Sequence, residues 1–170
     1  MSAVVRAIKK CYLAEVQFLN RLQPVLLLLL RLYIGYGFFK SGWGKLQNIS
    51  TTAEYFSGLN IPLPALNAYL AGATECFGGL LLLLGVASRV VTIPLIFTMI
   101  IAYSTQHIDE LRTLWTVPPG KNFNPAAFFK AAPFLYLLTS LLVLLFGPGI
   151  FSIDGLLKSY FNKKGNGERL

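Results

Sequence analysis

The chain has 170 residues, of which 55% are hydrophobic and only 13% are charged, about half the charged fraction of a soluble globular domain. Its formal net charge is +8, and its mean hydropathy is +0.60. The Lys and Arg residues are spread over the ends of apolar runs rather than gathered in one polar domain, which argues against a nucleic-acid partner and for a membrane protein.

Residues 1–23 have the pattern of a basic amphipathic helix. Val5, Ile8 and Tyr12 share one face at helical spacing, and basic residues such as Lys9 lie elsewhere. We expect this segment to lie on the cytoplasmic surface of the membrane, with a frayed polar tail as the alternative.

Four apolar runs follow, each long enough or nearly long enough to cross a bilayer. They cover residues 24–43, residues 66–85, residues 89–103 with a continuation to 107, and residues 131–146. The sequence therefore predicts an all-α fold, a four-helix transmembrane bundle over residues 24–149 with short interfacial helices.

Two external loops connect these runs. Residues 46–65 contain a short predicted helix ending near Gly58, and this loop either caps the mouth of the bundle or only connects two spans. Residues 108–130, which include Trp115, are typical of a membrane-interface anchor. Residues 150–170 are predicted to form a cytoplasmic interfacial helix and, from residue 163, a disordered tail.

The distribution of Lys and Arg predicts the orientation, because cytoplasmic loops of membrane proteins carry an excess of these residues. The side with few of them carries Lys45, Arg112, Lys121 and Lys130. The other side carries Arg6, Lys9, Lys10, Arg21, Arg89, Lys158, Lys163, Lys164 and Arg169. Both termini are therefore expected in the cytoplasm.

Arg31 and Glu75 are charges inside the first two runs. Each lies on a stripe of small residues at helical spacing: Gly35 and Gly42 follow Arg31, and Gly78 and Gly79 follow Glu75. A charge at bilayer depth normally faces the bundle interior and finds a partner. We therefore expect Arg31 and Glu75 to face one another as a charge-assisted pair.

Three more side chains complete the candidate polar core and ligand site: Lys45, Tyr36 and His107. Lys45 and His107 follow the outward ends of their spans, which predicts that they lie at one external mouth. No group of His, Cys and carboxylates has the spacing of metal ligands, so we expect no metal and no covalently bound cofactor.

Four pieces of the sequence resemble, in order and spacing, the DoxX family of small bacterial membrane proteins. They are Arg31-Leu-x-x-Gly35 with Gly42-x-x-Lys45, Gly58-x-x-x-Pro62-x-Pro64, Glu75-x-x-Gly78-Gly79 with Gly85 and Arg89, and Gly147-Pro-Gly-x-x-Ser-x-Asp154. The resemblance covers about residues 22–154. It implies a four-helix bundle in the bacterial inner membrane and a link to redox biology, since the related DoxD protein belongs to a thiosulfate:quinone oxidoreductase.

Three functions remain open at this point. The chain could bind a quinone through Arg31, Lys45, Glu75, Tyr36 and His107, with electrons supplied by a membrane-associated oxidoreductase subunit. It could be a small-solute transporter that acts as a homodimer, with Arg31 and Glu75 as a gate. It could also be a scaffold without chemistry, in which that pair only holds two helices together.

Overall fold

The computed structural model describes residues 3–112, 114 and 126–167 of the chain. Trp115, Lys121 and residues 168–170, which entered the predictions above, lie outside this part. The described residues form eight helices and no strand, which confirms the all-α prediction. The helices are α1 Ala3–Gln47, α2 Ile49–Gly58, α3 Pro64–Leu84, α4 Ser88–Gln106, α5 Ile108–Arg112, α6 Ala126–Lys130, α7 Ala132–Phe146 and α8 Ile153–Gly167.

Three of these helices, α1, α3 and α4, are long and apolar enough to cross a membrane. The fourth member of the bundle, α7, has 15 residues and is about 22 Å long, somewhat shorter than a bilayer's hydrocarbon core. α1 packs on α3, α3 on α4, α4 on α7 and α7 on α1, so the four helices close a bundle. Leucine, isoleucine and aromatic side chains cover its outside, as expected of a lipid-facing surface.

The bundle has two ends, which we name by their connections. The turn end carries the α3–α4 connection at Gly85 to Ala87, where both residues have positive φ, and the segment between α7 and α8. The loop end carries α2, α5 and α6. The tight turn makes α3 and α4 antiparallel neighbours.

Two helices extend past points where the prediction placed a change of structure. α1 continues through Pro24, so the boundary placed after residue 23 is not a helix end. Transmembrane helices tolerate proline because neighbouring groups satisfy the carbonyl that it leaves without a donor. α8 likewise continues to Gly167, so the tail predicted from residue 163 is helical as far as that residue.

The α1–α3 seam confirms that the two predicted stripes face each other. A Cβ atom on Gly42 would lie 2.6 Å from the carbonyl oxygen of Gly72, and one on Gly79 would lie 2.7 Å from that of Gly35. Only glycine permits this approach of two backbones, which is how small residues let transmembrane helices pack closely. The seam fixes which residues of α1 and α3 lie at the same level.

A compact apolar core fills the bundle between its two ends. Ile34 and Phe38 of α1 pack there with Leu82, Leu95 and Val143 from the other three helices. The polar side chains described below lie on either side of this core.

Candidate functional site

Arg31 and Glu75 lie in two separate polar clusters, so the predicted pair between them is wrong. The register of the seam gives the reason: Gly35 contacts Gly79 and Leu83, and the Arg31 guanidinium therefore reaches Gly85 at the end of α3. Glu75 precedes Gly85 by ten residues, which is about 15 Å along a helix.

Arg31 belongs to the turn-end cluster. It is 2% exposed, and its Nη1 and Nη2 donate to the carbonyl oxygens of Pro148 at 2.7 Å and Phe151 at 2.6 Å. Asp154 accepts hydrogen bonds from the amides of Ala87 at 2.8 Å and Ser88 at 2.9 Å. The cluster thereby joins α1, the α3–α4 turn and the start of α8.

Three further motif residues, Gly85, Arg89 and Gly147, also lie in the turn-end cluster. Arg89 donates to the carbonyl oxygen of Leu145 at 3.2 Å, and Gly147 has a positive φ of 83° beside the Arg89 side chain. Gly85 has a φ of 71° and accepts a hydrogen bond from the Asp154 amide at 3.0 Å. These contacts connect helix ends.

Glu75 forms the second cluster, with two residues of α1. Its Oε2 accepts a hydrogen bond from Ser41 Oγ at 2.8 Å and pairs with Lys45 Nζ, which also donates to Ser41 Oγ at 2.8 Å. Ser41 and Lys45 are four residues apart and therefore lie on one face of α1. Glu75 is 4% exposed, so the cation compensates a buried carboxylate.

A cavity of about 1000 Å³ lies beside this triad of Ser41, Lys45 and Glu75 and extends to the loop end. Its walls include Phe38, Met99 and Tyr136, and α2 contributes Tyr55 and Phe56 near the mouth. A volume at the upper end of the usual range of about 300–1,000 Å³, mostly apolar walls and a few convergent polar groups are typical of a small-molecule site.

His107 lines the same cavity as Lys45, and their position at one external mouth stays a prediction. Its Nδ1 lies 3.5 Å from Glu110 Oε1, and its ring centre lies 6.1 Å from that of Tyr103. The pKa of Glu110 is lowered, first by a hydrogen bond from its own backbone amide and then by the neighbouring His107.

Tyr36 does not belong to the polar core, and its inclusion there is wrong. The side chain is exposed on the outer face of α1. The interior stripe of that helix contains residues 31, 35, 38, 42 and 45, and position 36 is rotated by about 100° from position 35.

Two site residues were missed from the sequence. Ser41 could have been found, because it lies one helical turn before Lys45 on the same face. Tyr136 gave no signal, since the α7 sequence has no charge that marks its interior side. The structure places its ring edge-to-face with Phe38 at 4.8 Å, in the cavity wall.

Metal binding has no candidate here: among the described residues, no group of three or more His, Cys, Asp or Glu side chains could hold an ion. The polar groups that line the cavity can donate hydrogen bonds and carry charge. They are an ammonium, a carboxylate, a hydroxyl and an imidazole, from Lys45, Glu75, Ser41 and His107.

Comparisons with known proteins agree with the sequence motifs. The sequence profile of the DoxX family matches residues 26–108. "Putative oxidoreductase CatD" of Bacillus subtilis (strain 168) is 32% identical over 142 residues, which cover 82% of this chain and 90% of that protein. "Inner membrane protein YphA" of Escherichia coli (strain K12) is 30% identical over 133 residues, which cover 78% and 90%. No solved structure matches the chain.

Proposed function

Because this chain belongs to the DoxX family of multi-pass membrane proteins, and because a relative is named an oxidoreductase, we propose that it is a redox-linked membrane component that binds a quinone. The observation that carries the proposal is the cavity beside Lys45, Ser41 and Glu75. A partner oxidoreductase supplies the electrons.

The triad offers what a quinone carbonyl needs. An ammonium has three hydrogens, and Lys45 uses two of them for Glu75 and Ser41. The third can be donated to a carbonyl oxygen in the cavity that the side chain lines. Glu75 holds this donor in place, and apolar walls such as Phe38 and Met99 suit the ring.

Reduction of the bound quinone takes two electrons and two protons and yields the hydroquinone. The electrons come from the partner, and the protons come from water at the loop end. Negative charge builds on the carbonyl oxygen as the electrons arrive, and a cationic donor already aimed at that oxygen stabilises it. Lys45 supplies this stabilisation without rearrangement.

The charge asymmetry and the family support a location in the bacterial inner membrane with both termini in the cytoplasm. The loop end and the mouth of the cavity then face the outside, and a partner that delivers electrons there docks on α2 or on the loop of residues 108–130.

The proposal is tested by extracting the protein with its native lipids and measuring the bound quinone by mass spectrometry. Lys45→Met with Glu75→Met removes the donor without leaving a lone buried charge, and should lose most of the quinone. Lys40→Met is the matched control, because Lys40 is exposed on the same helix and does not line the cavity. Equal quinone in all three proteins would overturn the proposal.

A scaffold without chemistry is the second candidate, favoured by the turn-end cluster. The motif residues Gly85, Arg89, Gly147 and Asp154 hold helix ends together rather than line the cavity. If the protein is a scaffold, the double variant Lys45→Met with Glu75→Met should keep its partner complexes and any cellular function that depends on them. If the protein binds a quinone, the double variant should keep the complexes but lose the quinone-linked function.

A further inference from the structure

Residues of both α3 and α4 line the cavity on its loop-end side. Near the turn end these helices touch, since a Cβ atom on Gly78 would lie 3.0 Å from Leu95. Towards the loop end, Thr74 of α3 and Thr98 of α4 line the cavity. Pro94 is the first α4 residue of the lining, and a proline inside a helix is a common cause of a bend.

Three side chains of these two helices are exposed on the outside of the bundle and also line the cavity. They are Leu70 of α3 and Phe97 and Ile101 of α4. From this double exposure we infer that the cavity opens sideways between the helices, and we call the opening that these three residues and Thr74 surround the lateral portal. Its rim is mainly apolar, whereas the mouth at the loop end is lined by polar side chains such as Asn60, Gln106 and His107.

The lateral portal lies more than one helical turn from the loop ends of α3 and α4. Leu70 follows the start of α3 by six residues and Phe97 precedes the end of α4 by nine, which places them about 9 and 14 Å from those helix ends. Both helices are long and apolar enough to cross a membrane, whose hydrocarbon core is about 30 Å thick, so we expect this opening to face lipid chains.

We infer that the ligand of the cavity is a bilayer-resident quinone with a long isoprenoid tail, which enters through the lateral portal and leaves its tail between α3 and α4. This inference rests on the proposed function and adds the class of quinone and its route. The ring then reaches Lys45 and Glu75 at the polar end of the cavity, and the tail covers the apolar rim.

The size and shape of the cavity favour a ligand with a tail. About 1000 Å³ is several times what one or two fused rings occupy, and the apolar walls continue from the triad to the lateral portal. A ring without a tail would leave Leu70, Phe97 and Ile101 to be covered by lipid chains. The isoprenoid tail takes the place of these lipid chains and is attached to the ring. Binding then costs the ordering entropy of one molecule rather than of a ring and separate lipid chains.

The test blocks the lateral portal with tryptophan in nanodiscs. Leu70→Trp and Ile101→Trp should weaken binding of a naphthoquinone with a long isoprenoid tail by about tenfold, and leave binding of the same ring with a methyl group in place of the tail unchanged. Ile100→Trp is the matched control: Ile100 is 48% exposed and Ile101 40%, but Ile100 does not line the cavity. Equal affinities for the tailed quinone in all variants, or equal losses for both quinones, would overturn the inference.

A second measurement detects the lateral portal without any quinone. A tryptophan at Thr98, with Trp43 and Trp115 replaced by Phe, should be quenched by brominated lipid chains about as strongly as one at the lipid-facing Ile100. An unquenched Thr98→Trp probe would show that the lateral portal is closed. If the probe is quenched and neither quinone binds, the proposed function and the inferred ligand fail together, and a phospholipid chain is then the occupant.

Discussion

Replacing Lys45 should destabilise the protein more than replacing Glu75, although the two residues form one ion pair. Lys45→Met leaves the carboxylate of Glu75, which is 4% exposed, with the hydroxyl of Ser41 as its one remaining partner. An uncompensated charge at a fully buried site costs about 3–5 kcal/mol. Glu75→Met leaves the cation of Lys45, whose side chain is 24% exposed and can be hydrated, so we expect about 1–2 kcal/mol.

The double replacement Lys45→Met with Glu75→Met should cost less than Lys45→Met alone. It removes the desolvation penalty of both charges together with their attraction. Unfolding in mixed micelles, followed by circular dichroism against the fraction of denaturing detergent, gives the three free energies of unfolding. If the double variant loses the sum of the two single losses, the side chains do not interact and the ion pair is refuted.

Three further predictions concern the seam, the turn end and the orientation. Gly42→Ala should destabilise the protein by about 2–4 kcal/mol or prevent folding, because the added Cβ atom would meet the α3 backbone. Gly44→Ala is the control and should be neutral in the same unfolding assay, because a Cβ atom there has no heavy atom within 4 Å. Arg31→Met should lower the free energy of unfolding by about 2–4 kcal/mol, because the carbonyl oxygens of Pro148 and Phe151 lose their donors. It should also loosen the start of α8, which faster amide hydrogen exchange near Phe151 would detect. Unchanged exchange there would contradict this role. A reporter that is active only in the cytoplasm should be active when it is fused after Leu170. Alkaline phosphatase activity at the same position would refute the orientation.

The sequence predicted the bundle well because its signals are local. Apolar runs of membrane length predict spans within a few residues, since backbone groups inside a bilayer must be satisfied within a helix. The stripes of Gly35, Gly42 and Gly79 likewise predicted which faces of α1 and α3 meet, and the burial of Arg31 and Glu75 followed from their positions on those stripes.

The partners of the two buried charges could not be predicted in the same way. A stripe fixes a face of a helix but not the axial shift between two helices, and one helical turn of shift moves a side chain by about 5 Å. With that freedom, pairing Arg31 with Glu75 was consistent with the sequence. The close contact of Gly42 with Gly72 and Cys76 sets the axial shift between α1 and α3. At that shift Glu75 lies beside Lys45 and pairs with it.

The sequence by itself determined that this is an all-α membrane protein of the DoxX family, which residues of α1 and α3 face the interior, and that the interior charges need partners. Only the tertiary structure decided that Arg31 ties the helix ends together while Lys45, Ser41 and Glu75 border a cavity. The physical reason is that charge burial depends on the composition of one helix, whereas pairing and cavity shape depend on how several helices are shifted and separated. That information arises only when the backbones pack against each other.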